Sequence, residues 1–307
     1  MKADAVWTIF RYRLTRLRGQ VLGWGIALAL LGLMMVYFYG TIAEEREQFD
    51  QLLDAYPKEL MAFFGDFESF TTPSGFLGVE FFSYMHLILG IFAVLIGSGL
   101  LAGDEESGRL DLIMAHPVSR SALFWGRLSA FVVATGAILF IAWLGLAVPS
   151  RWTDISELSV VQLALPFLSM FGVLMLFGML ALLLSLLLPS RRSAAMASGL
   201  LLVGDFFLVG LSGIDPGLKS IAKLTPLNYY QGGAAMDDFN AVWVIGLLAV
   251  ALIFALAAWR RFERRDIRVG GEGAWQRPAR RSLARLLHRG AGVQAEMPAS
   301  EGAAVQR

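Results

Sequence analysis

The sequence predicts an all-α integral membrane protein with six transmembrane helices, an N-terminal interfacial helix, a further short helix on a connector and both termini on one side. Three observations predict it. Only 17% of the 307 residues are charged and mean hydropathy is +0.60, where a soluble domain carries roughly a quarter of its residues charged. Long apolar runs recur six times along the chain. The connectors between them alternate between basic and acidic or neutral, so the small net charge of +1 hides a strongly uneven distribution.

A bilayer core about 30 Å thick needs roughly 20 apolar residues in a helix. The runs lie at about residues 19–43, 81–102, 127–149, 160–188, 194–214 and 241–259. The first is free of charge and the second holds only His86, near the outer end and readable as an interface residue. The fourth carries Pro166 in its first turns, where the missing N–H costs least. The fifth is interrupted by a single carboxylate, Asp205, and the sixth is closed by Arg260 and Arg261. Basic residues run to Arg18 with no cleavage-site pattern after a short apolar core, so the first run is expected to be retained as a span.

Orientation follows from the connectors. Lys2, Arg11, Arg13, Arg16 and Arg18 precede the first span, while Glu44, Glu45, Glu47 and Asp50 follow it. The positive-inside rule puts the N-terminus in the cytoplasm. The connectors holding Arg109, Arg120, Arg191 and Arg192, and the segment after Arg260, then fall on the same side, as an even number of spans requires.

Residues 1–18 read as an amphipathic interfacial helix, with Val6, Trp7, Phe10, Leu14 and Leu17 at spacings of three and four. Residues 19–262 form the membrane domain, and residues 263–307 a basic tail whose Gly, Ala, Pro and Arg content predicts disorder. The outer connector over residues 44–78 is expected to hold one or two amphipathic helices broken at Pro57, then a turn at Thr71–Gly75. The segment from Asp215 to Asn240 reads as an outer loop.

The inner connector between the second and third spans is the most informative stretch. Acidic Asp104, Glu105 and Glu106 lead to Gly108, which lets the chain turn into a short helix bearing Leu110, Ile113 and Met114 on one face. Pro117 ends that helix and Ser119 caps the next. A short helix held at the cytoplasmic surface by two spans suits transmission of force from a soluble partner.

These residues resemble those of the permease subunits of ABC-2 type transporters, whose inner connector reads as acidic residues, Gly-Thr-Leu-Glu, a short apolar helix, Pro-Val-Ser-Arg and then Gly-Lys. Glu105, Glu106, Gly108, Leu110, Pro117, Val118, Ser119, Arg120 and Gly126 match. Arg109, Asp111 and Arg127 stand where Thr, Glu and Lys are usual. The resemblance continues in Thr72, Pro73, Gly75, Phe76 and Leu77, in Pro226, Tyr229 and Tyr230, and in Phe262, Arg264, Arg265, Asp266 and Ile267.

The resemblance implies a multi-pass protein of the inner (plasma) membrane and an exporter driven by ATP. The connector would be a coupling helix seated on a separate ATP-binding subunit that carries the ATP and Mg. A second permease subunit, identical or related, would complete the path. The implied coupling residues are Glu105, Glu106, Gly108, Leu110, Asp111, Ile113, Pro117 and Arg120, and Asp205 is a candidate for the translocation path.

The chain itself lacks Gly-x-x-x-x-Gly-Lys-Ser/Thr. Gly97, Gly99 and Gly103 lie in a span, where close helix packing is the expected use of glycine. With no cysteine, no His/Asp/Glu cluster and no nucleic-acid-binding fold, neither an enzyme, a cofactor or metal site in this chain nor a nucleic-acid partner is expected. A secondary transporter driven by an ion gradient is the alternative. It would normally show internal repeats and several intramembrane charges, and here there is one charge and no repeat.

Overall fold

The computed structural model describes residues 2–45, 48 and 70–264. The helices expected around Pro57 and the tail from residue 265 lie outside the described residues. Among the described residues every regular element is helical. Six helices are long and apolar enough to cross a membrane: Asp4–Glu44, Pro73–Gly99, Arg120–Trp152, Gln162–Leu187, Arg191–Ile214 and Ala241–Arg264.

The elements are labelled here α1 (Lys2–Glu44), α2 (Pro73–Gly99), α3 (Ala102–Glu106), α4 (Arg109–Met114), α5 (Arg120–Ala147), α6 (Leu165–Leu187), α7 (Arg191–Ile214) and α8 (Ala241–Arg264). Local chemistry sets the helix starts. Thr72 accepts the Gly75 N–H at 3.2 Å with Pro73 at the first helical position, so α2 begins in the stretch expected to be a turn. Ser119 accepts from Ala122 at the start of α5, and Ser190 and Ser193 form a capping box at the start of α7. One turn of π-helix, Gly78–Phe82, widens α2 near its start.

α1 is a single helix of 43 residues, about 65 Å long at 1.5 Å per residue. Residues 2–18 are therefore continuous with the first span rather than a separate surface helix. Their apolar stripe is partly spent on protein: a methyl group added at Gly126 would lie 2.9 Å from Ile9 Cβ and 3.0 Å from the Val6 carbonyl, and Leu17 is buried. Trp7, by contrast, is 58% exposed.

The same contact continues along both helices. Gly25 faces Ile141, Ala29 faces Gly145 and Gly32 faces Leu146, so α1 and α5 run parallel and in step from Ile9 to Gly32 of α1. Glycine at each crossing lets the backbones approach, which is how helices associate where lipid supplies no hydrophobic driving force.

α6 is the central post, packing against α2, α7 and α8. Gly178 brings it against α2 and α5: a methyl at Gly97 would stand 2.2 Å from the Gly178 carbonyl, and one at Gly178 would meet Phe131 at 2.6 Å. The core around it is rich in Phe81, Phe82, Met85, Phe131, Phe167 and Phe177.

The two ends of the bundle differ. The connector end gathers the start of α1, the α3–α4 connector, the start of α7 and the end of α8. The far end carries the segment between α7 and α8, which is folded rather than loose. It consists of short helical turns at Pro216–Leu218, Lys219–Ala222, Pro226–Tyr229 and Gly232–Met236. Gly232 has φ +50°, and a methyl at Gly233 would fall 2.3 Å from Gly78 Cα in the π turn. Tyr230 donates its hydroxyl to the Phe82 carbonyl at 3.0 Å, and the Gln231 N–H donates to Ser169 Oγ at 3.0 Å. This segment thus plugs between α2 and α6.

Replacing Gly145 by Ala would drive a methyl into the Ala29 backbone, which cannot move without parting α1 from α5. A loss of about 1–3 kcal/mol is expected, read as a lower unfolding midpoint in detergent. Gly136→Ala, whose added methyl has no neighbour nearer than 4.0 Å, should not lower the midpoint and should raise it by the helix-propensity gain, up to about 1 kcal/mol.

Candidate functional site

The connector between α2 and α5 is the site the sequence singled out, and in the structure it comprises two short helices. Gly108 separates them at φ +69°, a left-handed conformation that favours glycine. Its charged residues, together with Arg120 and Arg127 of α5, reach the ends of three other helices.

Arg127 of α5 is the first link. Its side chain is only 6% exposed, and its guanidinium donates to the Leu100 carbonyl at the C-terminal end of α2 at 2.8 Å and pairs with Asp104 at 2.7 Å. A cation at a helix C-terminus is favoured by the dipole and satisfies an otherwise orphan carbonyl. Arg109 approaches the other Asp104 oxygen at 3.5 Å.

Glu106 is the second link, accepting the Arg191 N–H at 2.7 Å. That N–H belongs to the first residue of α7, so the carboxylate sits where a helix N-terminus prefers negative charge. The Arg191 side chain donates to the Leu95 carbonyl at 3.2 Å and lies across Gly99, where a methyl would be 3.0 Å from the guanidinium.

Arg120 is the third link. It donates to the Phe262 and Glu263 carbonyls at 3.3 Å, closing the C-terminal turn of α8. Beside it, Ser121 donates to the Glu263 carboxylate and accepts from Trp259 Nε1 at 2.9 Å. The connector and the start of α5 thereby bridge the ends of α2, α7 and α8.

The faces of the connector helices fall as follows. Leu110 is 1% exposed, Glu105 is buried, and Ile113 and Met114 pack partly against the core. The apolar face of α4 is therefore taken up by the protein's own bundle. Pointing outward are Glu106, Arg109, Leu112, Ala115, His116 and Pro117, with Leu112 69% exposed. Sequence reasoning missed Leu112. The signal was an apolar residue off the Leu110–Ile113 face, with Pro117 close behind it.

Asp205 and His86 lie elsewhere. Asp205, 7% exposed, accepts the Leu227 N–H at 3.0 Å. It caps the Pro226–Tyr229 turn, whose own cap residue Thr225 makes no such bond. His86 is buried within the bundle, its ring 4.3 Å from Tyr230 and 5.7 Å from Phe206. Neither residue adjoins the connector. No group of three or more His, Cys, Asp or Glu residues suited to a metal occurs among the described residues.

Six helices long and apolar enough to span, tied at one end by the polar residues of a connector, are the architecture of a multi-pass membrane protein. A family model described as ABC-2 family transporter protein matches residues 14–267. The chain belongs to that family, as an ABC transporter permease with multiple transmembrane helices. No curated protein matches it.

Arg127→Met would leave Asp104 with only the longer contact to Arg109. It should cost about 2–3 kcal/mol, less than a fully enclosed pair because Asp104 retains some solvent. A double-mutant cycle with Asp104→Asn, followed by thermal denaturation, should return a coupling above about 1 kcal/mol.

Proposed function

We propose that this chain is the permease subunit of an ATP-driven exporter, and that it receives mechanical work at the α3–α4 connector from a separate ATP-binding subunit. The observation that carries the reading is Leu112. A large apolar side chain stands exposed on a short helix whose opposite face is anchored in the core, flanked by Arg109, His116 and Pro117. An apolar centre with a polar rim is the anatomy of a protein-docking site.

A push on α4 would pass through Gly108 to α3, then to α5 by way of Arg127 and Asp104, and to α7 by way of Glu106. Arg120 carries the same displacement to α8. Within this reading the coupling residues divide by task. Leu112, Pro117 and Glu106 meet the partner or border it, Glu105, Leu110 and Ile113 seat the connector, Gly108 permits the turn, and Arg120 relays the motion. Asp111 shares α4.

The basic residues at the connector end support placing that end, and with it both termini, in the cytoplasm of a plasma-membrane protein. A second permease subunit, identical or related, would face this one across the path. The breadth of exposed apolar side chains on α7, including Met196, Leu200 and Phe207, supports a partner or lipid there. Asp205 reads as a strut that holds the far-end plug to α7 rather than as a ligand for the transported molecule.

Leu112→Asp should abolish stimulation of the ATP-binding subunit while the protein accumulates at wild-type levels. A central apolar anchor is worth about 2 kcal/mol, or roughly 30-fold in affinity, measurable by co-purification and ATPase assay. Leu110→Asp should instead fail to accumulate, because it buries an unpaired carboxylate in the core. Normal ATPase stimulation in Leu112→Asp would overturn the assignment.

Asp205→Asn keeps an acceptor for the Leu227 N–H. Transport should therefore be unchanged, and a selective loss for one substrate class would return Asp205 to the path.

A further inference from the structure

The acids of the connector are engaged by the bundle. Asp104 pairs with Arg127 at 2.7 Å, Glu105 is buried, and Glu106 accepts the Arg191 N–H at 2.7 Å. Arg109 points the other way, with its side chain 58% exposed. The tie from Glu106 to the start of α7 also brings the exposed Arg192 beside the connector. The charge left to the outward face is therefore positive.

Arg109 is oriented from one side only. Its Nε donates to Ser107 Oγ at 2.9 Å and stands 3.5 Å from Asp104, so the Nε edge of the guanidinium is used within the connector. Gly108, at φ +69°, sets the turn between Ser107 and Arg109. The two terminal nitrogens make no hydrogen bond or ion pair among the described residues. A guanidinium steadied at Nε presents its terminal N–H groups as a planar fork that matches the two oxygens of a carboxylate.

Arg109 and Leu112 stand three residues apart on α4, which makes them neighbours on one helix face. Leu112 is 69% exposed, and His116 beyond it is tied back to the Leu112 carbonyl through Nδ1 at 3.1 Å. A surface that covers Leu112 also covers the Arg109 fork. A neutral or basic surface would strip water from the guanidinium and return nothing, so complementarity calls for an acid at that point.

We propose that Arg109 selects the ATP-binding subunit, whose docking groove carries an Asp or Glu carboxylate beside the apolar socket that takes Leu112. This inference rests on the reading of the α3–α4 connector as the docking site. Leu112 supplies affinity for any apolar socket of the right size, whereas Arg109 discriminates among sockets by charge.

The full-length protein in phosphatidylcholine nanodiscs, a bilayer without lipid anions, is titrated with its ATP-binding subunit at low and high ionic strength. Arg109→Glu should weaken binding about tenfold at low salt and less at high salt, and Arg109→Lys, which keeps the charge without the fork, about threefold. Replacing one acidic residue of the subunit's groove by Lys should restore binding to Arg109→Glu, and failure of every such reversal would overturn the proposal. Loss of binding in Leu112→Asp alongside wild-type binding in Arg109→Glu would overturn it and leave the docking site standing. Wild-type binding in both variants would overturn the docking site itself. Binding of the wild-type protein should weaken as salt rises, whatever the variants do on folding, and salt-insensitive binding would overturn the proposal. An Arg109→Glu defect seen only after phosphatidylglycerol is added to the bilayer would assign the fork to a lipid phosphate and overturn it as well.

Discussion

The pair between Arg127 and Asp104 is the joint on which the connector end depends. A buried guanidinium needs both a counter-charge and a carbonyl, and Arg127 finds the two in consecutive parts of the chain: the Leu100 carbonyl at the C-cap of α2 and the first turn of α3. Because one side chain satisfies both, α2 cannot end elsewhere and α3 cannot swing away without stranding a charge. The remaining links follow the same electrostatic logic. Glu106 meets the positive end of α7, and Arg120 meets the negative end of α8.

This arrangement explains why the polar residues of an otherwise apolar protein collect in so few places. Helix ends leave four N–H and four C=O groups without intrahelical partners, and in a bundle the side chains of neighbouring elements are the natural source of replacements. At the connector end the replacements are charged and come from other segments. At the far end they are neutral or single, as where Asp205 caps the Pro226–Tyr229 turn and Gln231 exchanges two hydrogen bonds with the Asn240 backbone. One end is thus built of long-range ionic ties, the other of a plug seated by close glycine contacts.

The six spans were legible in the sequence because a charge-free run of 20 residues has few other uses, and the connector was legible because its Gly, Pro and acidic residues fall in a recognisable order. What the sequence could not convey was the destination of each apolar face. Leu110, Ile113 and Met114 form a stripe that suits either a partner's groove or the chain's own core, and tertiary packing chose the core, leaving Leu112 outside. The same ambiguity affected residues 2–18, where Val6 and Ile9 meet α5 at Gly126, Leu17 is buried and the helix runs without a break into the span. His86 was read from its position in a run, whereas its burial arises from Phe206 and Tyr230, more than a hundred residues away. The 215–240 segment showed no period because turns of three to five residues have none to show.

The lockstep contact between α1 and α5 has a mechanical consequence. Two helices pinned together at Ile9, Gly25, Ala29 and Gly32 form a beam whose bending stiffness exceeds that of either rod alone. Its connector end carries Arg127, so a displacement applied there would tilt the whole beam instead of dissipating as local flexing.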